Sequence, residues 1–488
     1  MKIAMPLWSL TRLRGGTERA GSELANAFAR RGHEVIIFTS GLDPLPPLYP
    51  LHPSVRLEYN LIQLRSSRSG LDALRRQVCA HSPDVLLGLG SDAVLLSHAG
   101  MVHGTSTALV LSDRTAPHIT GGVNWNQPDR VTAFAAAHRI HCLLPGYAAS
   151  YPPCLRARIR HIPNGTPLAP FADTQATREA TTPKILLAVG RLRDSIKQHS
   201  LLISAFALLH PYFPEWQLHI WGGDFYDEQK DLQKLIDSEG LHHHALLKGE
   251  TCTVAEVMRT ASVLCHPSRY EGFPMTVVEA LRHSLPVVGF AHCEALQSIV
   301  QPDFGRLAPK MTPISLAETL APLMASTELR RKLGGKALVE SEKYTLDTVA
   351  TQWEELLEEA VQEHRACSYA RPACQNVSED MLPPAQSWQN ILCVYVSLLR
   401  QSGLFDYAWY RAQYVRGPEV MDPLEHYILF GAGKGYNPNP WFNTKEYTKH
   451  FLQKNHDNMN PLLHYYLFGK GGRLSPASHD ILTNGPSL

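Results

Sequence analysis

Lys2-Ile-Ala-Met-Pro-Leu-Trp8 is an apolar run, and Arg14-Gly15-Gly16-Thr17-Glu18-Arg19 follows it closely. A helical pattern then runs over 20–31, Gly32-His33 breaks it, and Glu34-Val-Ile-Ile-Phe-Thr39 is apolar again. Strand, glycine turn, helix, strand is the opening of a parallel α/β sheet. The same unit recurs. Pro83–Leu87 and Ala108–Leu111 are short apolar runs bounded by polar residues, as strands buried on both faces should be. His161-Ile-Pro-Asn-Gly165 reads as a strand end with turn chemistry. A second set begins at Lys184-Ile-Leu-Leu-Ala-Val-Gly190 and continues through Trp216–Gly223, Ala261–His266 and Leu285–Phe290 to an acidic helix over Asp347–Glu363. Two doubly wound domains fit this alternation.

The surroundings are those of a globular chain. Its 488 residues are too many for one core. Hydrophobic residues make up 44% and charged residues 19%, and no run approaches the roughly 18 apolar residues of a membrane helix. Met1–Leu10 reads as a buried strand rather than a signal peptide. Nine scattered cysteines without a CxxC pair point to free thiols in a reducing compartment, and a cytoplasmic setting is expected. The net charge of +1 argues against nucleic-acid binding. The charge is unevenly spread, however: residues 1–165 hold 17 Lys/Arg against 10 Asp/Glu, leaving about −6 for the rest. That excess suits an anionic acceptor or peripheral contact with an anionic membrane; a solvated surface is the alternative.

Past a Pro/Ser/Gln-rich stretch the chain repeats itself. Asp422-Pro-Leu-Glu-His-Tyr-Ile-Leu-Phe-Gly431 matches Asn460-Pro-Leu-Leu-His-Tyr-Tyr-Leu-Phe-Gly469, while Phe405-Asp406 and Tyr410 match Phe442-Asn443 and Tyr447. Asp422 and Asn460 suit N-caps, the prolines suit first helical positions, and the glycines suit ends. Two copies are too few for a free solenoid, so they should pack on each other or on the rest of the chain. The expected division is 1–167, 168–365, a linker at 366–390, and a helical two-repeat domain over 391–476.

The chemistry centres on His266-Pro-Ser-Arg-Tyr-Glu271-Gly-Phe-Pro-Met-Thr-Val-Val-Glu279-Ala-Leu281, which leaves a strand and enters a helix. A helix start favours a diphosphate, and carboxylates beside it can bind sugar and ribose hydroxyls. The spacing alone is common by chance. The surrounding residues make it specific: the segment resembles the E-x7-E signature of family 4 of the nucleotide-sugar glycosyltransferases, over roughly residues 1–363. The resemblance implies a two-domain GT-B fold. It puts Glu271 at the donor sugar with Gly272 and Phe273 beside it, and Glu279 at the ribose. Arg269 adds positive charge beside Glu271. Gly190-Arg191-Leu192 and Lys197 match the Arg/Lys pair that neutralises a donor diphosphate. The gap from Leu192 to Lys197 is one residue longer than usual, so Lys197 is open to displacement. Gly15 and Gly16 match the N-terminal glycine loop whose amides approach the diphosphate. Gly222-Gly223-Asp224 matches a turn near the base. Two departures stand out. Ser112-Asp113-Arg114 replaces the usual His, so Asp113 and Arg114 either contact substrate or form a structural ion pair. Ala291–Leu296 lacks the usual Gly/Pro-rich character. His98 and His103 read as structural.

The resemblance implies retaining transfer from a nucleotide sugar, with uridine the commonest base, to a glycan, glycolipid or protein acceptor in surface-polysaccharide or glycoconjugate synthesis. The donor is expected in the cleft between the two domains. No DxD or His/Cys cluster is evident, so metal-independent turnover without a further cofactor is expected. Two rivals remain: another GT-B activity such as sugar-nucleotide epimerisation, and a glycan-binding or assembly protein using Trp409, Tyr410, Tyr427 and Trp441. For those aromatics, packing into a helical core is the alternative. The repeats are expected to serve acceptor recognition or homo-oligomerisation.

Overall fold

A computed structural model of the chain describes residues 1–7, 10–11, 16–39, 46–59, 68–90, 93–103, 105–114, 116, 128–167, 184–251, 253–366, 392–415, 421–452 and 459–469. The linker assigned to 366–390 lies, apart from Ala366, outside these residues.

The first unit is built on seven parallel strands: β1 (Lys2–Pro6), β2 (Glu34–Thr39), β3 (Arg56–Tyr59), β4 (Val85–Gly90), β5 (Ala108–Asp113), β6 (Arg139–Cys142) and β7 (Ile159–His161), in the order β3-β2-β1-β4-β5-β6-β7. Helix Gly16–Arg30 joins β1 to β2. The central strands are continuously buried, β4 as Val-Leu-Leu-Gly-Leu-Gly and β5 as Ala-Leu-Val-Leu-Ser-Asp, because helices cover both faces. Edge strand β3, with no buried residue, went unrecognised in the sequence because it has no apolar run to mark it. His98 is buried against Gly88, and burial pushes its imidazole down to about 3, so it is a neutral packing residue.

The second unit has six parallel strands: β8 (Lys184–Val189), β9 (Trp216–Trp221), β10 (Ala245–Leu247), β11 (Val263–His266), β12 (Val287–Phe290) and β13 (Gly305–Ala308), in the order β10-β9-β8-β11-β12-β13. Its core joins Leu186, Leu202, Phe206, Leu218, Val263 and Val288. In both sheets the first strand sits inside and the order reverses beside it, β1 to β4 and β8 to β11, which opens a crevice at the carboxyl ends of the strands.

The chain divides into two compact units. The first comprises Met1–Cys142, Tyr147–His161 and Trp353–Leu488; the second comprises Leu143–Gly146 and Ile162–Gln352. The acidic helix, Leu346–Ala366, therefore gives its larger part to the first unit. Buried Trp353, Leu356, Leu357 and Ala360 and a set of ion pairs hold it there. Glu354 pairs with Arg31 at 2.9 Å and with His33 at 2.7 Å. Glu359 pairs with Arg139 at 3.0 Å and Arg160 at 3.2 Å, and Glu363 pairs with Arg139. Trp353 packs its ring 4.3 Å from that of His141. Part of the basic excess of the first half is thus neutralised by the chain's own helix.

The repeats join the first unit as well. Helix Leu392–Ser402 packs against helices Ala93–Val102 and Pro128–Ala136 and against both repeats, and Val394, Tyr395 and Leu399 are buried. The caps form as expected: Asp422 Oδ1 accepts from the amides of Leu424 and Glu425, and Asn460 Oδ1 from those of Leu462 and Leu463. The expected single α-helix does not. After one turn each repeat widens into a π-helix, Tyr427–Gly431 and Tyr465–Gly469. In each, a tyrosine hydroxyl meets a histidine Nδ1, Tyr410 with His426 at 2.9 Å and Tyr447 with His464 at 2.8 Å. At Gly431 a Cβ would collide with the Tyr410 hydroxyl, so this position admits glycine alone. Tyr410 and Tyr427 are fully buried, which places them in the repeat core rather than on a glycan face; Trp409 and Trp441 are half-buried.

Candidate functional site

The predicted donor residues converge at the carboxyl end of the second sheet. Strand β11 ends at His266, a loop carries Glu271, and helix Met275–Arg282 begins four residues later. Strand β8 ends at Val189 and runs into Gly190-Arg191. The two loops are tied together, since the Arg269 amide donates to the Ile196 carbonyl at 2.8 Å. Beside them, the Gly190 amide donates to Trp221 O at 2.8 Å and the Leu192 amide to Gly223 O at 2.9 Å. Gly222 is a site of close approach: a Cβ there would be driven into the Gly190 carbonyl and lie 3.2 Å from Arg191 Cα. Gly223 is crowded by Glu250 and Phe225.

Lys197 reaches the site despite the longer gap before it. The extra length is absorbed by a single turn, Asp194–Lys197, closed by Gln198 in the left-handed conformation at φ 50°. Asp194 steadies that turn by accepting from the Ser200 amide at 2.8 Å and the Ser200 hydroxyl at 2.5 Å. The lysine stem crosses Gly190, and Nζ donates to Glu271 Oε1 at 2.5 Å. Both partners are mostly shielded, at 18% and 14% exposure. Burial alone would raise the Glu271 carboxyl. The Lys197 charge, followed by the His266 hydrogen bond, outweighs that and holds it well below the usual carboxylate range. Glu271 is therefore an anion at neutral pH.

Glu279 lies on the second turn of Met275–Arg282 and is 6% exposed. His283 Nδ1 lies 2.7 Å from its carbonyl and so donates there, fixing that turn. Phe273 is buried and meets the Tyr344 ring at 6.2 Å. Arg191 and Arg269 are exposed, and Gly272 is half-buried. In the Ala291–Leu296 loop Cys293 is buried, its thiol pushed up to about 11 chiefly by that burial.

A separate group sits in the first unit. Asp113, at the end of β5, is 2% exposed. Its Oδ2 pairs with Arg130 and accepts the Tyr151 hydroxyl at 2.5 Å. Asp113 is thus paired with Arg130 at the strand end. Arg114 is pushed down to about 10 by burial, against the opposing pull of Asp113 and Glu18, so it keeps its charge at neutral pH. Glu18 is in the first turn of Gly16–Arg30 and Gly16 starts it, so Arg114 and Gly16 share one end of this sheet. Gly15 lies outside the described residues.

His266 was not among the expected site residues, although it is the first residue of the signature segment. The signal was its position at a strand end directly before the loop that carries Glu271. Among the described residues no group of three His, Cys, Asp or Glu is placed to hold a metal ion, and no helix is long and apolar enough to cross a membrane.

Residues 171–338 match the family of glycosyl transferases group 1. An uncharacterized glycosyltransferase of Haemophilus influenzae is 24% identical over 352 residues, 70% of this chain and 96% of its own length. An exopolysaccharide phosphotransferase of Streptomyces coelicolor is 32% identical over 206 residues, 42% of this chain but only 21% of that relative. Among solved structures, Anabaena HepE in complex with UDP and glucose superposes with a TM-score of 0.59 at 17% identity, covering 73% of this chain and 99% of that one. The architecture is the GT-B fold, and residues 171–338 are similar to the glycosyl transferases group 1 family.

Proposed function

We propose that this chain is a retaining glycosyltransferase that moves a hexosyl or N-acetylhexosaminyl unit from a nucleoside-diphosphate sugar, with uridine as the base, to a glycan, glycolipid or protein acceptor of surface-polysaccharide synthesis. One observation carries the reading: a carboxylate held ionised by a lysine and a histidine at the mouth of a helix whose second turn presents Glu279. Lys197 and Arg191 are the charges that receive the donor diphosphate. Glu271 takes hydroxyls of the sugar and Glu279 those of the ribose. The bond from the anomeric carbon to the phosphate oxygen breaks and leaves its electron pair on the diphosphate. The acceptor oxygen bonds to the same carbon, and its proton leaves to the departing phosphate. Preorganised positive charge at the leaving group lowers that barrier and calls for no metal ion. Relatives named for polysaccharide work, such as an amylovoran biosynthesis glycosyltransferase of Erwinia amylovora, support the choice of acceptor class. Arg114 and Gly16 remain the first unit's candidates for substrate contact.

The test is a panel of UDP- and GDP-sugars, with release of nucleoside diphosphate measured in the presence of EDTA and Glu279→Ala as control. Turnover of one donor, lost in the variant and unaffected by EDTA, is expected, and anomeric NMR of the product reads retention. An epimerised nucleotide sugar in place of released diphosphate refutes transfer.

A further inference from the structure

His266 enters the donor reading only as a partner that keeps Glu271 ionised, and its placement suits it to more than that. It closes β11, it is 2% exposed, and its ring lies between the carboxylate loop and the helix that follows. Nε2 is 2.9 Å from Glu271 Oε1, and Nδ1 is 3.2 Å from the Thr276 hydroxyl. A carboxylate anion has no proton to offer, so Nε2 must carry the hydrogen, and Nδ1 is then the acceptor for Thr276. Ser268 Oγ stands 3.2 Å from the same Nε2 and serves as a second, weaker acceptor. Burial favours the neutral ring, and the Glu271 contact only partly offsets it.

Glu271 Oε1 therefore has two donors of different kinds. Lys197 is a cation on a flexible stem, and it is also the charge that a diphosphate would draw toward itself. His266 is a neutral donor anchored by a strand end behind it and a threonine on the helix before it, and it has no reason to follow a phosphate.

Resting on the donor reading above, we infer that His266 is a positioning residue, which holds the Glu271 carboxylate in its sugar-binding orientation while Lys197 turns from that carboxylate to the donor diphosphate. The lysine can then serve the leaving group without releasing the sugar clamp. A hydrogen bond to a charged group is worth about 10–100-fold when removed.

His266→Leu removes the donor at similar volume, whereas His266→Gln restores an N–H near the Nε2 position. Both are compared with the full-length wild type for turnover of the best donor sugar and for calorimetric binding of uridine diphosphate, which lacks the sugar. The expected result is a kcat about 10–100-fold lower in His266→Leu, uridine diphosphate affinity within about threefold, and recovery of most of the rate in His266→Gln. Equal rates in the two variants, or a fall in uridine diphosphate affinity matching the fall in kcat, overturns the inference and leaves His266 as packing. Wild type inactive on every donor overturns the glycosyltransferase reading and this inference with it. An active wild type with unchanged His266→Leu overturns the inference alone.

Discussion

Replacing Lys197 by methionine keeps the stem over Gly190 and deletes the charge on Glu271. The pair is mostly shielded, at 18% and 14% exposure. Removing one member of a buried ion pair typically costs ~3–5 kcal/mol, because the other charge stays buried. Glu271 retains its His266 donor at 2.9 Å, so the lower end, about 3 kcal/mol, applies. At roughly 2–4 °C per kcal/mol for a unit of this size, the transition containing the second unit should fall by about 6–12 °C near pH 7. The pH dependence gives a sharper check. The Glu271 carboxyl lies below its ordinary value in the folded chain. Its contribution is therefore fully present above the unfolded glutamate pKa of about 4.3 and is lost as pH falls through the lower folded value. The gap in melting temperature between wild type and variant should be widest at neutral pH and narrow below about pH 4. Donor turnover should fall by about 10²–10³ through lost leaving-group stabilisation. Thermal unfolding followed by circular dichroism between pH 3.5 and 7.5 makes the measurement. A variant that melts within about 1 °C of wild type at pH 7, or a gap that does not narrow on acidification, refutes the reasoning.

Gly222→Ala should be far more damaging than its size suggests, about 3 kcal/mol, because its Cβ would meet the Gly190 backbone rather than a side chain. Gly335→Ala, in helix Thr327–Glu340 with open space around it, should instead stabilise by about 0.5–1 kcal/mol, and melting the two variants side by side checks both. Deleting residues 391–488 should yield aggregated or sharply destabilised protein, seen by size-exclusion chromatography, because it uncovers the faces of Ala93–Val102 and Pro128–Ala136 that helix Leu392–Ser402 covers. Tyr447→Phe should cost about 1 kcal/mol in chemical denaturation by breaking the bond to His464.

Much of this fold was legible in the chain itself. The central strands are runs of apolar residues, and alternation with helical patterns leaves a parallel sheet as the simplest solution. The repeat caps were readable because Asp or Asn before Pro is local chemistry, settled within three residues. The candidate donor segment was readable because Glu271 and Glu279 come with the strand, the turn and the helix that make their spacing meaningful. Edge strands such as β3 and β10 were not readable, since three or four half-exposed residues leave no periodic signal.

What sequence alone determined is therefore local: which segments are strands, where helices are capped, and which loops carry carboxylate and cation. What only the tertiary structure decided is which charges meet. The acidic helix and the basic first half looked like separate features until Glu354 and Glu359 were found on Arg31 and Arg139. The longer loop before Lys197 looked like a displacement until one turn ending in a left-handed Gln198 brought Nζ to Glu271. His266 had no visible partner until the sheet set its ring beside that carboxylate. The reason is physical: strand, cap and turn preferences act over a few residues. A buried charge is settled by whatever the fold brings within about 4 Å of it, from any distance along the chain.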